Sequence, residues 1–266
     1  MPVRTAARPL ALARTLALPL ALTLGAAGAP LPAQTPAPAR RTVTNELAWL
    51  QLLGEHRLDA RWALNVEAQL RRADLAGRTP QQLLVRPGVL YRPGGGALFG
   101  AGYAYAGTSE YGDAPAAAPF PEHRIWQMLQ LNGRTGPIDW MQRFRTEQRW
   151  IGRVQTVNGV AAHEGYTFRQ RARTMARASV DAPRLGIPVP QAFLVGWGEA
   201  LLHVGENPDG QIFDQGRLAA QVGWRFTPRL RVEAGYLQQF IQRGGSRVSE
   251  NNHALIVSLF ATTGHR

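Results

Sequence analysis

Two stretches of the sequence put arginine at alternate positions. Arg143, Arg145 and Arg149 flank Glu147 in the first, and Arg169, Arg171, Arg173 and Arg177 form the second. A guanidinium stays charged at any physiological pH and holds carboxylate or phosphate through paired hydrogen bonds. Residues two apart share one face of a strand. If the two stretches pair as neighbours, seven cations share a wall on which Glu147 is the sole acid. Partners must then come from other candidate strands, where Glu67, Glu199 and Glu233 lie together with Arg217 and Arg231. Two chemistries suit such a set. One is an internal salt-bridge network, because buried charges require partners. The other is a cationic constriction that passes or binds small anions.

Other chemistries find few residues to carry them. The chain has no Cys, and all 30 of its basic residues are Arg. Disulfides, thiolate nucleophiles, Cys-based zinc sites, P-loops and Schiff bases are excluded. The six His are scattered, and no G-x-S-x-G elbow or H-x-x-x-H pair is present. No catalytic residue, metal ligand or cofactor is therefore assigned. Glu206-Asn-Pro-Asp-Gly210 lacks the EF-hand spacing and reads as a turn. Glu122, His123 and Arg124 read as a hydrogen-bonding group at a rim. Gly100 and Gly102 fall on one strand face, where they leave room for an aromatic such as Tyr103 or Tyr105 or permit a bend at a barrel corner.

The elements that would position these groups are strands. Segment 61–71 alternates Trp62, Leu64, Val66, Ala68 and Leu70 against Arg61, Asn65, Glu67, Gln69 and Arg71. Period-two patterning recurs in 140–150, 166–180, 215–226 and 230–241, and less cleanly in 44–53, 82–92, 97–106, 122–132, 191–204 and 252–262. That makes eleven candidates. Bacterial single-chain barrels use even numbers, so twelve antiparallel up-and-down strands are expected, with ten as the alternative. Connections near 54–60, 93–96, 133–138 and 227–228 are short. Those near 72–81, 107–121, 152–163, 205–212 and 243–251 are longer, the alternation expected of inner turns and outer loops. Trp140 and Trp150 share a face ten residues apart, which projects to roughly 26 Å along a tilted strand, near the height of an apolar belt. With Trp224 and Tyr236 they are expected at the bilayer interfaces. The pattern favours a single transmembrane β-barrel with a polar lumen. A soluble periplasmic sandwich or barrel acting as a binding module is the main alternative, and a lipid hydrolase or acyltransferase working at the barrel rim is a third reading.

The first 33 residues have the layout of a secretory signal peptide, with Arg4, Arg8 and Arg14 ahead of an apolar run and small residues. Residues 34–43 are a Pro/Ala-rich spacer, and 44–266 is the expected barrel. The formal net charge is +12, but an exported chain meets no genome and the sequence has no nucleic-acid motif. Outer-membrane lipid and small anions are the expected partners, and a monomer is the expected state.

Several motifs occur in a definite order: Glu122-His-Arg-Ile-Trp-Gln127, Arg143-Phe-Arg-Thr-Glu-Gln-Arg-Trp150, Phe168-Arg-Gln-Arg171, Phe213-Asp-Gln-Gly-Arg217, Gly235-Tyr-Leu-Gln-Gln-Phe240 and Asn252-His253. Together they resemble the domain of unknown function 2490 family of Gram-negative bacteria, over roughly 45–260. The resemblance implies an outer-membrane β-barrel and brings no activity, cofactor or catalytic residue. The sequence departs from the usual barrel ending, because six residues follow Phe260.

Overall fold

A computed structural model describes residues 40–205, 211–244 and 247–265. The signal-peptide segment and most of the spacer lie outside the described residues, as does the 206–210 turn. Eleven strands follow in order: β1 (Arg41–Arg57), β2 (Trp62–Arg72), β3 (Pro80–Gly94), β4 (Ala97–Thr108), β5 (Phe120–Thr135), β6 (Ile138–Val157), β7 (Val160–Asp181), β8 (Ala192–Val204), β9 (Phe213–Thr227), β10 (Leu230–Gln242) and β11 (Val248–Gly264). One 3-10 turn, Ala182–Leu185, lies between β7 and β8.

Each strand pairs antiparallel with its sequence neighbours, and the sheet closes on itself. Closure corrects the expectation of twelve purely antiparallel strands. With an odd number, the first and last strands point the same way, so β1 and β11 pair in parallel from Arg41↔Val248 to Arg57↔Gly264. The eleven alternating segments each form one strand, and the even-number rule alone had supplied a twelfth. Phe260 lies within β11, its ring under the Arg231 guanidinium at 3.9 Å.

A second correction concerns 152–163, expected to be a long loop. There β6 and β7 continue as a hairpin to a two-residue turn, Asn158-Gly159. Both turn residues have positive φ, +53° and +81°, the geometry that matches strand twist in tight hairpins. Residues 157–160 are exposed, so backbone pairing extends the hairpin here without an apolar face. The connections after β2, β4, β6, β8 and β10 lie at one end of the barrel, termed the loop end. In the connection after β2, Asp74 accepts hydrogen bonds from the Arg78 and Thr79 amides at 3.0 and 2.6 Å. Bonding from the Thr79 side chain and these amides holds its carboxyl down to about 2.

Side chains alternate as strand geometry requires. Phe144 and Leu218 point outward and are 46% and 65% exposed, whereas Glu147 is 1% exposed in the lumen. Outward positions are predominantly apolar, over an area far larger than a soluble surface tolerates. The lumen also holds apolar groups. Ala63, Leu90, Leu98, Ala104, Trp126 and Met128 form one cluster, and Leu47, Trp49, Leu237, Ala254 and Ile256 another.

Trp126 explains the glycines of β4. Its indole lies against Gly88, Gly100 and Gly102, and its Nε1 donates to the Tyr103 carbonyl at 3.1 Å. The expectation that Tyr103 or Tyr105 fills this space fails because odd positions of β4 face outward. A Cβ on Gly102 would lie 2.6 Å from Gly88 Cα and overlap the Pro87 carbonyl. Gly102→Val is expected to abolish assembly, with no heat-modifiable band on a gel, whereas Ala101→Val on the outer face leaves the band intact.

Candidate functional site

The arginines of β6 and β7 meet across one register: Arg145 faces Arg173, Glu147 faces Arg171, and Arg149 faces Arg169. Left alone, this wall would repel itself. Carboxylates of the wall itself and of the neighbouring strands β8 and β9 answer it. Arg173 donates to Glu147 at 2.7 Å and to Glu199 on β8 at 2.6 Å. Arg171 donates to Glu147 at 2.6 Å and to Asp214 on β9 at 2.9 Å. Arg217 donates to the other oxygen of Glu199 at 3.0 Å. Arg86 on β3 binds Glu67 on β2 at 2.6 Å and reaches Glu147 at 3.6 Å.

β3 and β6 are not sheet neighbours, so the Arg86–Glu147 contact spans the interior. Arg177 on β7 likewise crosses to Glu233 on β10 at 2.6 Å, and Arg231 binds the same carboxylate at 3.1 Å. Arg143 lies 3.6 Å from Glu199. The result is a belt of ion pairs across the lumen. Such a belt holds its geometry because Glu147, Glu199, Asp214 and Glu233 each answer more than one guanidinium, which offsets the cost of removing these charges from water.

The belt divides the interior. One cavity of about 400 Å³ opens toward the loop end, and another of about 370 Å³ toward the opposite end. Gln69, Arg173 and Arg217 line both. The 109–119 connection contributes to the loop-end cavity through Tyr111, whose hydroxyl donates to Glu250 at 3.1 Å. Arg243 pairs with Glu250 and also donates to the Ala114 carbonyl at 2.7 Å. Burial and the neighbouring Glu250 push the Tyr111 phenol above its ordinary range.

Two buried guanidiniums have no ion pair among the described residues. Arg71 donates only to Gln69 and Gln82 and stacks on Trp49 at 4.1 Å. Arg145 lies 5.1 Å above Trp126, and its Nε and Nη1 have no hydrogen-bond partner. Arg169 donates to the Phe168 carbonyl.

The rim trio divides by alternation. Glu122 and Arg124 point into the lumen and bind each other at 2.7 Å, with Arg149 on the same carboxylate. His123 points outward between Tyr103 and Tyr166, at 2.5 and 3.2 Å. Among the aromatics, Trp140 and Trp224 lie near the end opposite the loops. Trp150 packs on Phe168 at 5.3 Å toward the loop end. Tyr236 lies midway along β10, its hydroxyl on His253 at 2.5 Å.

Arg86 and the lumen tryptophans Trp49, Trp126 and Trp197 were not singled out from the sequence. Arg86 shares parity with Gln82 and Leu84 and alternates with Val85, Pro87 and Val89, and that signal assigns it to the lumen. Trp126 shares parity with Glu122 and Arg124, but its apolar ring hid the match.

A charged lumen inside an apolar exterior is stable only with hydrocarbon around it. No curated protein matches the chain. A solved structure described as the NanC porin in a rhombohedral crystal form is similar at 11% identity with a TM-score of 0.42, over 76% of this chain and 86% of that one. The family model described as "Protein of unknown function (DUF2490)" matches residues 46–250. The chain, an outer-membrane β-barrel with a buried Arg/Glu lumen network, belongs to that family.

Proposed function

We propose that the barrel is a narrow anion-selective pathway whose midpoint is held by the ion-pair belt. The observation that carries this reading is the excess of buried arginine over carboxylate in the lumen, with Arg71 and Arg145 lacking any ion-pair partner. A cation entering either cavity is repelled by these uncompensated charges, whereas a chloride or small oxyanion is attracted. The belt limits passage to small ions and requires rearrangement of Arg173 and Arg217, which line both cavities. The pathway lies inside one barrel, so one chain suffices for conduction.

The test is a planar bilayer under a KCl gradient. Small unitary currents whose zero-current potential has the sign for chloride are expected. Silence over many insertions would overturn the reading and leave a purely structural barrel, and potassium preference would overturn it in favour of a cation path.

A further inference from the structure

The exterior of β5, β6 and β7 differs from the rest of the belt. Between the barrel ends, outward positions on β2 are Leu64, Val66, Ala68 and Leu70, and on β9 Leu218, Ala220 and Val222. On β5–β7 the corresponding positions include Gln127, Gln142, Thr146, Gln148, Gln170 and Thr174. Gln127 is at the middle of β5 (Phe120–Thr135). Gln127 and its register partner Thr146 therefore lie at the mid-depth of the hydrocarbon, with Gln142 and Gln148 each two residues inside Trp140 and Trp150 on β6.

Their mutual bonds satisfy only part of their capacity. Thr146 donates to Gln127 at 2.8 Å, Gln127 and Gln148 bond reciprocally at 3.1 and 3.3 Å, and Gln142 donates to Thr174 at 2.8 Å. A primary amide offers two donors and two acceptor sites. Lipid tails supply no partner for the remainder. The other exterior amide group, Gln238 with Asn251, lies toward the loop end, where interfacial polar groups are available.

The β5–β7 patch carries no formal charge and presents donors and acceptors side by side. Its best complement is the same patch on another copy. The flanks agree with this. On one side Ile125 and Leu131 of β5 project. On the other, Ala176, Ala178, Gly196, Gly198 and Ala220 leave a trough of about 720 Å³ bounded by Trp140 and Tyr236. A two-fold axis along the membrane normal through the amides sets each copy's ridge against its partner's trough, a self-complementary contact.

We propose that the outer face of β5–β7 is the contact between two copies of this chain within the membrane. This departs from the monomer expected from sequence.

The chain has no Cys, so single cysteines report proximity directly. Full-length Thr146→Cys in native outer membranes is expected to oxidise to a species of twice the chain mass. Leu255→Cys, outward on β11, is expected to stay single. Adding Gln127→Leu and Gln148→Leu to Thr146→Cys is expected to reduce the doubled species at least fivefold while the heat-modifiable fold persists. The proposal is overturned if Thr146→Cys crosslinks no more than Leu255→Cys, if the product contains a chain of different mass, or if the two leucine replacements leave crosslinking unchanged.

Discussion

Glu147→Gln is expected to destabilise the barrel by about 3–5 kcal/mol, the range for removing one member of a buried ion pair. The carboxylate accepts from Arg171 and Arg173 and faces Arg86. Its side chain has no exposure to water. Glutamine keeps the shape but removes the charge that three guanidiniums share, leaving Arg171, Arg173 and Arg86 with Asp214, Glu199 and Glu67 as their remaining partners. The contrast is Arg134–Asp139, a pair at 2.5 Å with 57% and 34% exposure. Such surface pairs contribute about 0–1 kcal/mol, so Asp139→Asn should change little. Urea titration in detergent micelles, followed by tryptophan fluorescence and gel heat-modifiability, measures both. Equal midpoints for the two variants would show that the belt does not hold the barrel together.

Arg71→Gln and Arg145→Gln are expected to weaken anion preference while preserving the fold. Neither residue has an ion-pair partner, so no carboxylate is orphaned. A unit charge about 5 Å from a passing ion acts with about 0.8 kcal/mol in water-like surroundings, or about fourfold in permeability ratio. Each variant should therefore move the zero-current potential toward neutrality by that factor, and the double variant further. Arg134→Gln, at an exposed position near the end of β5, is the control. Selectivity unchanged in the double variant would place the determinant elsewhere in the lumen.

The strands and the two arginine rows were legible because period-two alternation is a local property of the backbone. Phe144 outward and Arg145 inward follow from sequence position alone. Whether Glu147 meets Arg86, or Arg177 meets Glu233, depends on barrel closure, which brings together strands far apart in order. Local periodicity holds no information on such cross-lumen contacts. The same limit hid Trp126: parity places it inside, but only packing shows that Gly88, Gly100 and Gly102 make its space. The β6–β7 hairpin past Gly152 was missed because paired strands in water need no apolar face. The strand number followed from counting segments, and a general preference for even numbers displaced a correct count.

The most direct test of the account is a single-cysteine scan of 141–150 on β6, in membranes, with a lipid-soluble quencher and a water-soluble thiol reagent applied in parallel. Even positions, among them Phe144 and Thr146, should be lipid-quenched or protein-covered and resist the aqueous reagent. Odd positions, among them Arg143 and Arg149, should react from water and escape the quencher. The opposite phase, or no alternation, would contradict a charged lumen enclosed by a lipid-facing wall.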